Sequence, residues 1–265
     1  MKKKLLIGLS VVAASAALLG GTYAYLTDVE KDANVFTIGN VDIDLLSAVG
    51  DETVKLMPNN NDKTKVDYQI QNIGDEAAYV WLRVKVPAAL EESSTLAADN
   101  IIHWNYLGAY ANGYENTQKY IDSAKAQGYE APVTKDQTWI HLDGKNNVKI
   151  GDEKYNVYDI LYTGKLASNE KTTVGVSTVY MDQRVDYIDT TDNDIDDGFW
   201  ALVKDGGDTI VPIDHDFNDG ANFIVEAHAI QANGFKTVED AYAAYNAQWA
   251  NTEDGTKLTV ELPQN

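Results

Sequence analysis

Val66, Tyr68 and Ile70 alternate with Asp67, Gln69 and Gln71, the period-two pattern of a strand with one face in a core. A turn signal follows at Asn72-Ile73-Gly74-Asp75. Val80, Leu82, Val84 and Val86 then alternate with Trp81, Arg83 and Lys85 until Pro87, which has no amide to continue a ladder. Together the two runs predict an antiparallel hairpin with one buried face. Residues 155–162, Tyr-Asn-Val-Tyr-Asp-Ile-Leu-Tyr, predict a strand apolar on both faces. Residues 172–180 predict its partner, across a turn near Ala167-Ser168-Asn169-Glu170. Residues 223–230 predict a further strand and residues 257–262 a last one.

Two segments depart from this alternation. Residues 88–150 read as an insertion between core strands, with a helix at about residues 116–127 and a small hairpin at Asp143-Gly144. Near the C-terminus, Thr237 begins an amphipathic helix: its hydroxyl can cap the first amides, with Asp240 three residues on. Val238, Ala241, Tyr242, Tyr245 and Trp249 fall on one face of it, which predicts packing on the sheets. Many short strands and few helices predict a mainly β protein, an antiparallel β-sandwich of jelly-roll type with a helical insertion and a helix near the C-terminus. No repeat or low-complexity linker divides residues 25–265, which read as a single domain.

The first 24 residues carry a different pattern. Lys2, Lys3 and Lys4 precede an apolar run from Leu5 to Leu19, 15 residues long. That is a signal-peptide core, short of the roughly 20 residues a spanning helix needs. Gly20, Gly21 and Thr22 loosen the helix where a peptidase must grip extended chain. Thr22-Tyr23-Ala24 predicts cleavage between Ala24 and Tyr25, leaving an exported chain whose only membrane contact is the uncleaved leader.

Charge and composition narrow the chemistry. The chain of 265 residues has formal charge −20, and it becomes three units more negative when the lysine-bearing leader leaves. Such a polyanion repels nucleic acid and anionic lipid. It contains no cysteine, which excludes disulfides, thiol catalysis and thiolate metal sites. The four histidines, His103, His141, His215 and His228, show no spacing of a zinc-protease helix. Glu226 and His228 share a strand face, the nearest approach to a ligand pair, and read as a structural or surface pair. Neither a Gly-x-Ser-x-Gly nucleophile turn nor a glycine-rich phosphate loop is present. Two acid-rich loops repeat one spacing: Asp192, Asp194 and Asp196 before Gly198, and Asp214, Asp216 and Asn218 before Gly220. Alternate oxygen ligands of this kind make calcium a candidate ion. Solvated turns that use Asp and Gly for their geometry explain the same residues. No other cofactor is implied.

Gly20-Gly-Thr-Tyr-Ala-Tyr-Leu-Thr-Asp28, followed by Asn34-Val-Phe-Thr-Ile-Gly-Asn-Val-Asp-Ile-Asp-Leu45, resembles the TasA and camelysin (CalY) family of exported proteins. The stretches 56–86 and 223–235 are similar to later parts of that family, while residues 88–150 and 185–220 depart from it. The resemblance implies processing by a SipW-type signal peptidase and a jelly-roll subunit of extracellular-matrix or biofilm fibres on a Gram-positive-type cell surface. It also implies self-association, in which the freed N-terminal segment adds as a strand to the next subunit. Tyr25, Leu26, Val29, Val35, Phe36 and Ile38 are its candidate anchors. An ordinary first strand of a monomer explains residues 35–45 equally well. A surface adhesin, a calcium-dependent binding module and a camelysin-like metalloprotease are the alternative functions. The chain carries no zinc-ligand motif to support the last, so it is not expected to be an enzyme.

Overall fold

The computed structural model describes residues 27–30, 41–50, 53–57, 64–91, 99–106, 109–110, 138–142, 144–189, 198–217 and 220–249. Its strands are β1 (Thr27–Glu30), β2 (Ile43–Leu46), β3 (Thr53–Leu56), β4 (Thr64–Asn72), β5 (Ala78–Pro87), β6 (Ile102–Tyr106), β7 (Ala109–Tyr110) and β8 (Trp139–His141). β9 (Lys145–Ile150), β10 (Glu153–Tyr162), β11 (Val176–Met181), β12 (Val185–Ile188), β13 (Phe199–Lys204), β14 (Thr209–Pro212) and β15 (Ala221–Gln231) follow. The helix α1 (Val238–Trp249) comes last. The protein is mainly β, as its alternation predicts, and every strand pair but the short parallel β7–β8 is antiparallel.

An eight-stranded sheet runs β1-β15-β5-β10-β8-β7, with β3 also on β15 and β9 also on β10. A four-stranded sheet runs β2-β4-β11-β6, and a three-stranded sheet β12-β13-β14. The two larger sheets share one core. Val66, Tyr68, Ile70, Val176 and Trp104 of the smaller pack with Val80, Leu82, Val84, Ile160, Phe223 and Val225 of the larger.

The expected hairpin of β4 and β5 does not form. β4 pairs with β2 and β11, whereas β5 pairs with β10 and β15 in the other sheet. Likewise β11 is not the partner of β10; the chain crosses between sheets there too. The crossings lie side by side and are bonded to each other. The buried Asn72 side chain donates to the carbonyls of Glu76 (2.8 Å) and Leu166 (3.0 Å) and accepts from the Gly74 amide (3.0 Å). Ala78 and Leu166 exchange backbone bonds of 3.0 and 2.8 Å across the same corner. A period-two pattern with a short polar turn is the same for a hairpin and for such a corner, so the sequence alone does not separate them.

The expected hairpin at Asp143-Gly144 is also replaced. β8 and β9 lie end to end along one edge of β10, and β9 turns into β10 through Gly151, whose φ is +62°. Gly144 serves close approach instead: a Cβ there would stand 2.4 Å from two Tyr158 ring carbons and 2.9 Å from the Val157 carbonyl oxygen. Within residues 88–150, the described strands β6, β7, β8 and β9 belong to the two main sheets. The helix expected at 116–127 and the strand expected at 257–262 lie outside the described residues.

β5 departs from its pattern in one further respect: both faces are buried. Tyr79, Trp81 and Arg83 occupy the face away from the core, and α1 covers them. Thr237 caps α1 as expected, its Oγ1 accepting the Asp240 amide at 3.2 Å. Val238, Ala241, Tyr242 and Tyr245 pack in a second cluster with Tyr79, Trp81, Leu161 and Ile230. Trp249 lies on α1, and its side chain is outside what the structure describes.

Gly144→Ala should destabilise the protein by about 1–3 kcal/mol, because the core at Tyr158 cannot admit a methyl group without shifting. A urea titration should show a lower midpoint with an unchanged slope; an unchanged midpoint would show that Tyr158 yields at no cost.

Candidate functional site: the outer edge and face of β15

β15 carries Glu226 and His228 and is the strand against which Val29 pairs. One side pairs with β5. The other carries two short strands end to end: β3 opposite Ala221–Ile224, and β1 opposite Ala227–Ile230. β1 begins three residues past Ala24, so the predicted N-terminal segment contributes an edge strand to its own sheet. Its register sets Thr27 opposite Ile230, Asp28 opposite Ala229, Val29 opposite His228 and Glu30 opposite Ala227. Among the expected anchors only Val29 falls in a described strand. Ala24, Tyr25, Leu26, Val35, Phe36 and Ile38 lie outside the described residues.

The face of β15 beneath α1 holds a buried charge network. Arg83 on β5 and Asp159 on β10 form a two-pronged pair, Nε to Oδ1 at 2.8 Å and Nη2 to Oδ2 at 2.9 Å. The Tyr242 hydroxyl donates to Asp159 Oδ2 at 2.5 Å. Lys85 Nζ donates to Glu226 Oε1 at 2.5 Å, and His228 Nε2 lies 3.4 Å from Glu226 Oε2. On its other side His228 Nδ1 meets the Tyr245 hydroxyl at 2.9 Å, and its ring stacks on Trp81 at 5.9 Å. Two cations and two carboxylates thus balance around a buried imidazole.

Burial acts on all of these groups, and their partners decide the outcome. Desolvation pushes Asp159 and Glu226 up, but Arg83 beside the first, and His228 and Lys85 beside the second, hold both below the ordinary carboxylate range. For His228, burial and then the charge of Arg83 depress the pKa, outweighing Glu226 and Asp159. The imidazole is therefore held towards its neutral form. Glu226 and His228 do share a face, as read from the sequence, and their partners are those of a structural pair.

Of the two acid-rich loops, only Asp214 and Asp216 of the candidate ligands lie among the described residues. Asp214 and Asp216 are exposed after β14, flanking His215, whose ring meets Phe217 edge-on at 4.8 Å. Asp192, Asp194, Asp196 and Asn218 lie outside the described residues. His103 pairs with Asp182 at 2.9 Å on the four-stranded sheet, and His141 is buried beside Trp104 and Tyr158. Among the described residues no group of three His, Asp or Glu side chains could hold a metal ion.

A third buried carboxyl escaped the sequence reading. Glu91, just after β5, accepts from the Tyr158 hydroxyl (2.7 Å), Trp104 Nε1 (3.1 Å) and Asn156 Nδ2 (3.3 Å). Burial pushes its pKa up although all three donors favour the charged form. The network under α1 was missed as a network, but one signal was available. Asp159 stands inside a run read as apolar on both faces, and a charge there requires a buried partner.

The comparisons with known proteins agree with the early part of the chain. Residues 1–96 match the family model described as camelysin metallo-endopeptidase, so the resemblance read in residues 20–45 and 56–86 is borne out. No curated protein and no solved structure matches the chain.

Two outcomes follow from these charges. Asp159→Asn should cost about 3–5 kcal/mol by stranding Arg83, whereas the double variant Arg83→Met/Asp159→Leu should recover most of that loss. Additive losses in denaturant titrations of Arg83→Met, Asp159→Leu and the double variant would contradict a coupled pair. Burial also lowers the His141 pKa from 6.5 to about 4. The unfolded chain therefore takes up that proton first. The His141 contribution is whole above pH 6.5 and is lost as pH falls toward 4, by up to about 3 kcal/mol. His228 acts in the same sense, and Glu91, with its raised pKa, in the opposite one. His141→Phe should flatten the fall in unfolding free energy across that interval; an unaltered slope would show that His141 is not its source.

Proposed function

We propose that this protein is a secreted structural subunit, a jelly-roll sandwich that assembles into extracellular fibres by passing its N-terminal strand to a neighbouring copy. What supports the reading most is β1, four residues held to the edge of β15 by backbone pairing, just past the predicted cleavage point. An edge strand this short is separable from its sheet, and an identical strand from another copy satisfies the same backbone groups. Exchange in one direction is a head-to-tail contact, which propagates rather than closes. Removal of the leader by a SipW-type peptidase, which frees the segment from Tyr25 onward, is the switch.

The name of the matching family carries a second reading, a metallo-endopeptidase. Glu226 and His228 of β15 engage each other, Lys85 of β5 and Tyr245 of α1, so the structural role is preferred. Secretion and a cell-surface or matrix location belong to the same proposal.

Purified residues 25–265 should form filaments visible by negative-stain electron microscopy, and residues 41–265 should not. Equal polymerisation of both would remove the N-terminal strand from the mechanism. Casein hydrolysis by the purified protein, abolished by a chelator, would favour the peptidase reading.

A further inference from the structure

α1 and β1 address the same four residues of β15 from different sides. β1 pairs with the backbone of Ala227–Ile230. α1 holds the side chains of two of those residues: Tyr245 bonds His228 at 2.9 Å, and Ile230 is buried with Val238, Ala241, Tyr242 and Tyr245. These are the residues that register sets opposite Val29 and Thr27. Trp81 completes the seat, stacked on His228 and meeting the Tyr245 ring edge-on at 4.6 Å.

We infer that α1 is a clamp on the strand-accepting edge: by fixing His228 and Ile230 it holds β15 in the geometry that retains the N-terminal strand of a second copy. The inference rests on the assembly reading above and adds the element that regulates it. The physical reason is the shortness of the ladder. A pairing of four residues gains few hydrogen bonds, so its lifetime depends on how much order the acceptor must acquire as the strand binds. β5 orders one edge of β15, while β3 stops at the partner of Ile224, short of the β1 slot. Over Ala227–Ile230 the inner face is fixed in the main core through Ala227 and Ala229, and α1 supplies the support on the outer face.

The clamp is adjustable without unfolding. Tyr245→Phe removes one hydrogen bond and keeps the ring against Trp81. Tyr180→Phe is the control, since Tyr180 lies on β11 of the other sheet and stacks on His103. Tyr245 is a positioning residue here, acting through its hydrogen bond to His228.

The experiment uses a fluorescein-labelled synthetic peptide of residues 25–40, bound to the full processed chain. Its dissociation is followed by anisotropy after dilution into excess unlabelled peptide, with urea midpoints measured in parallel. Tyr245→Phe should release the peptide about five-fold faster than the wild type, the worth of one hydrogen bond, and Tyr180→Phe should match the wild type. Release at the wild-type rate from Tyr245→Phe would overturn the clamp and leave strand exchange standing. Equal acceleration by both variants would also overturn it, since the effect would then be general loosening. No peptide binding to the wild type at any concentration would overturn the assembly reading and the clamp with it.

Discussion

The Arg83–Asp159 pair is the interaction on which the arrangement turns. It sits at the centre of a sheet buried on both faces, where an unbalanced charge costs several kcal/mol. With it in place, β5, β10 and β15 can carry a polar stripe through a dry layer. Tyr242 uses Asp159 as its acceptor and so brings α1 down on that stripe. Lys85, Glu226 and His228 extend the balance along β15 to Tyr245. The helix is thus fixed by chemistry at two points as well as by apolar contact.

That arrangement explains why the outer edge of β15 is suited to binding a strand. The edge is supported from its face, and among the described residues it is completed by two short strands, β1 and β3. β3 and β1 meet near Val225, each pairing four residues. A sheet completed in pieces can lose one of them without losing its core. The main sandwich core draws on strands of both larger sheets, from Val41 to Ala229 in chain order.

Much of the fold was legible because β4 and β5 alternate, because the run that forms β10 is apolar on both faces, and because Thr237 and Asp240 mark the start of α1. Pairing was less legible. Asn72 reads as a turn residue, and its role as the pin of a sheet-to-sheet corner depends on Leu166 and Glu76, which no local pattern connects to it. Arg83 and Lys85 read as a solvent face because polar residues at alternate positions usually are one. Only the helix that covers them, about 150 residues later in the chain, changes that meaning. The site was partly legible for the same reason: Glu226 and His228 could be placed on one face, but their partners come from three other elements.

The absence of cysteine makes the central claim directly testable. Asp28 and Ala229 are opposite one another in register, within the span a disulfide accepts. One variant carrying Asp28→Cys and another carrying Ala229→Cys, processed and mixed under mild oxidation, report only contacts between copies. The account predicts that a covalent dimer of the two variants accumulates as filaments grow. If no such dimer forms, while a chain bearing both cysteines closes the bond within itself, the N-terminal strand stays at home and the assembly mechanism is wrong.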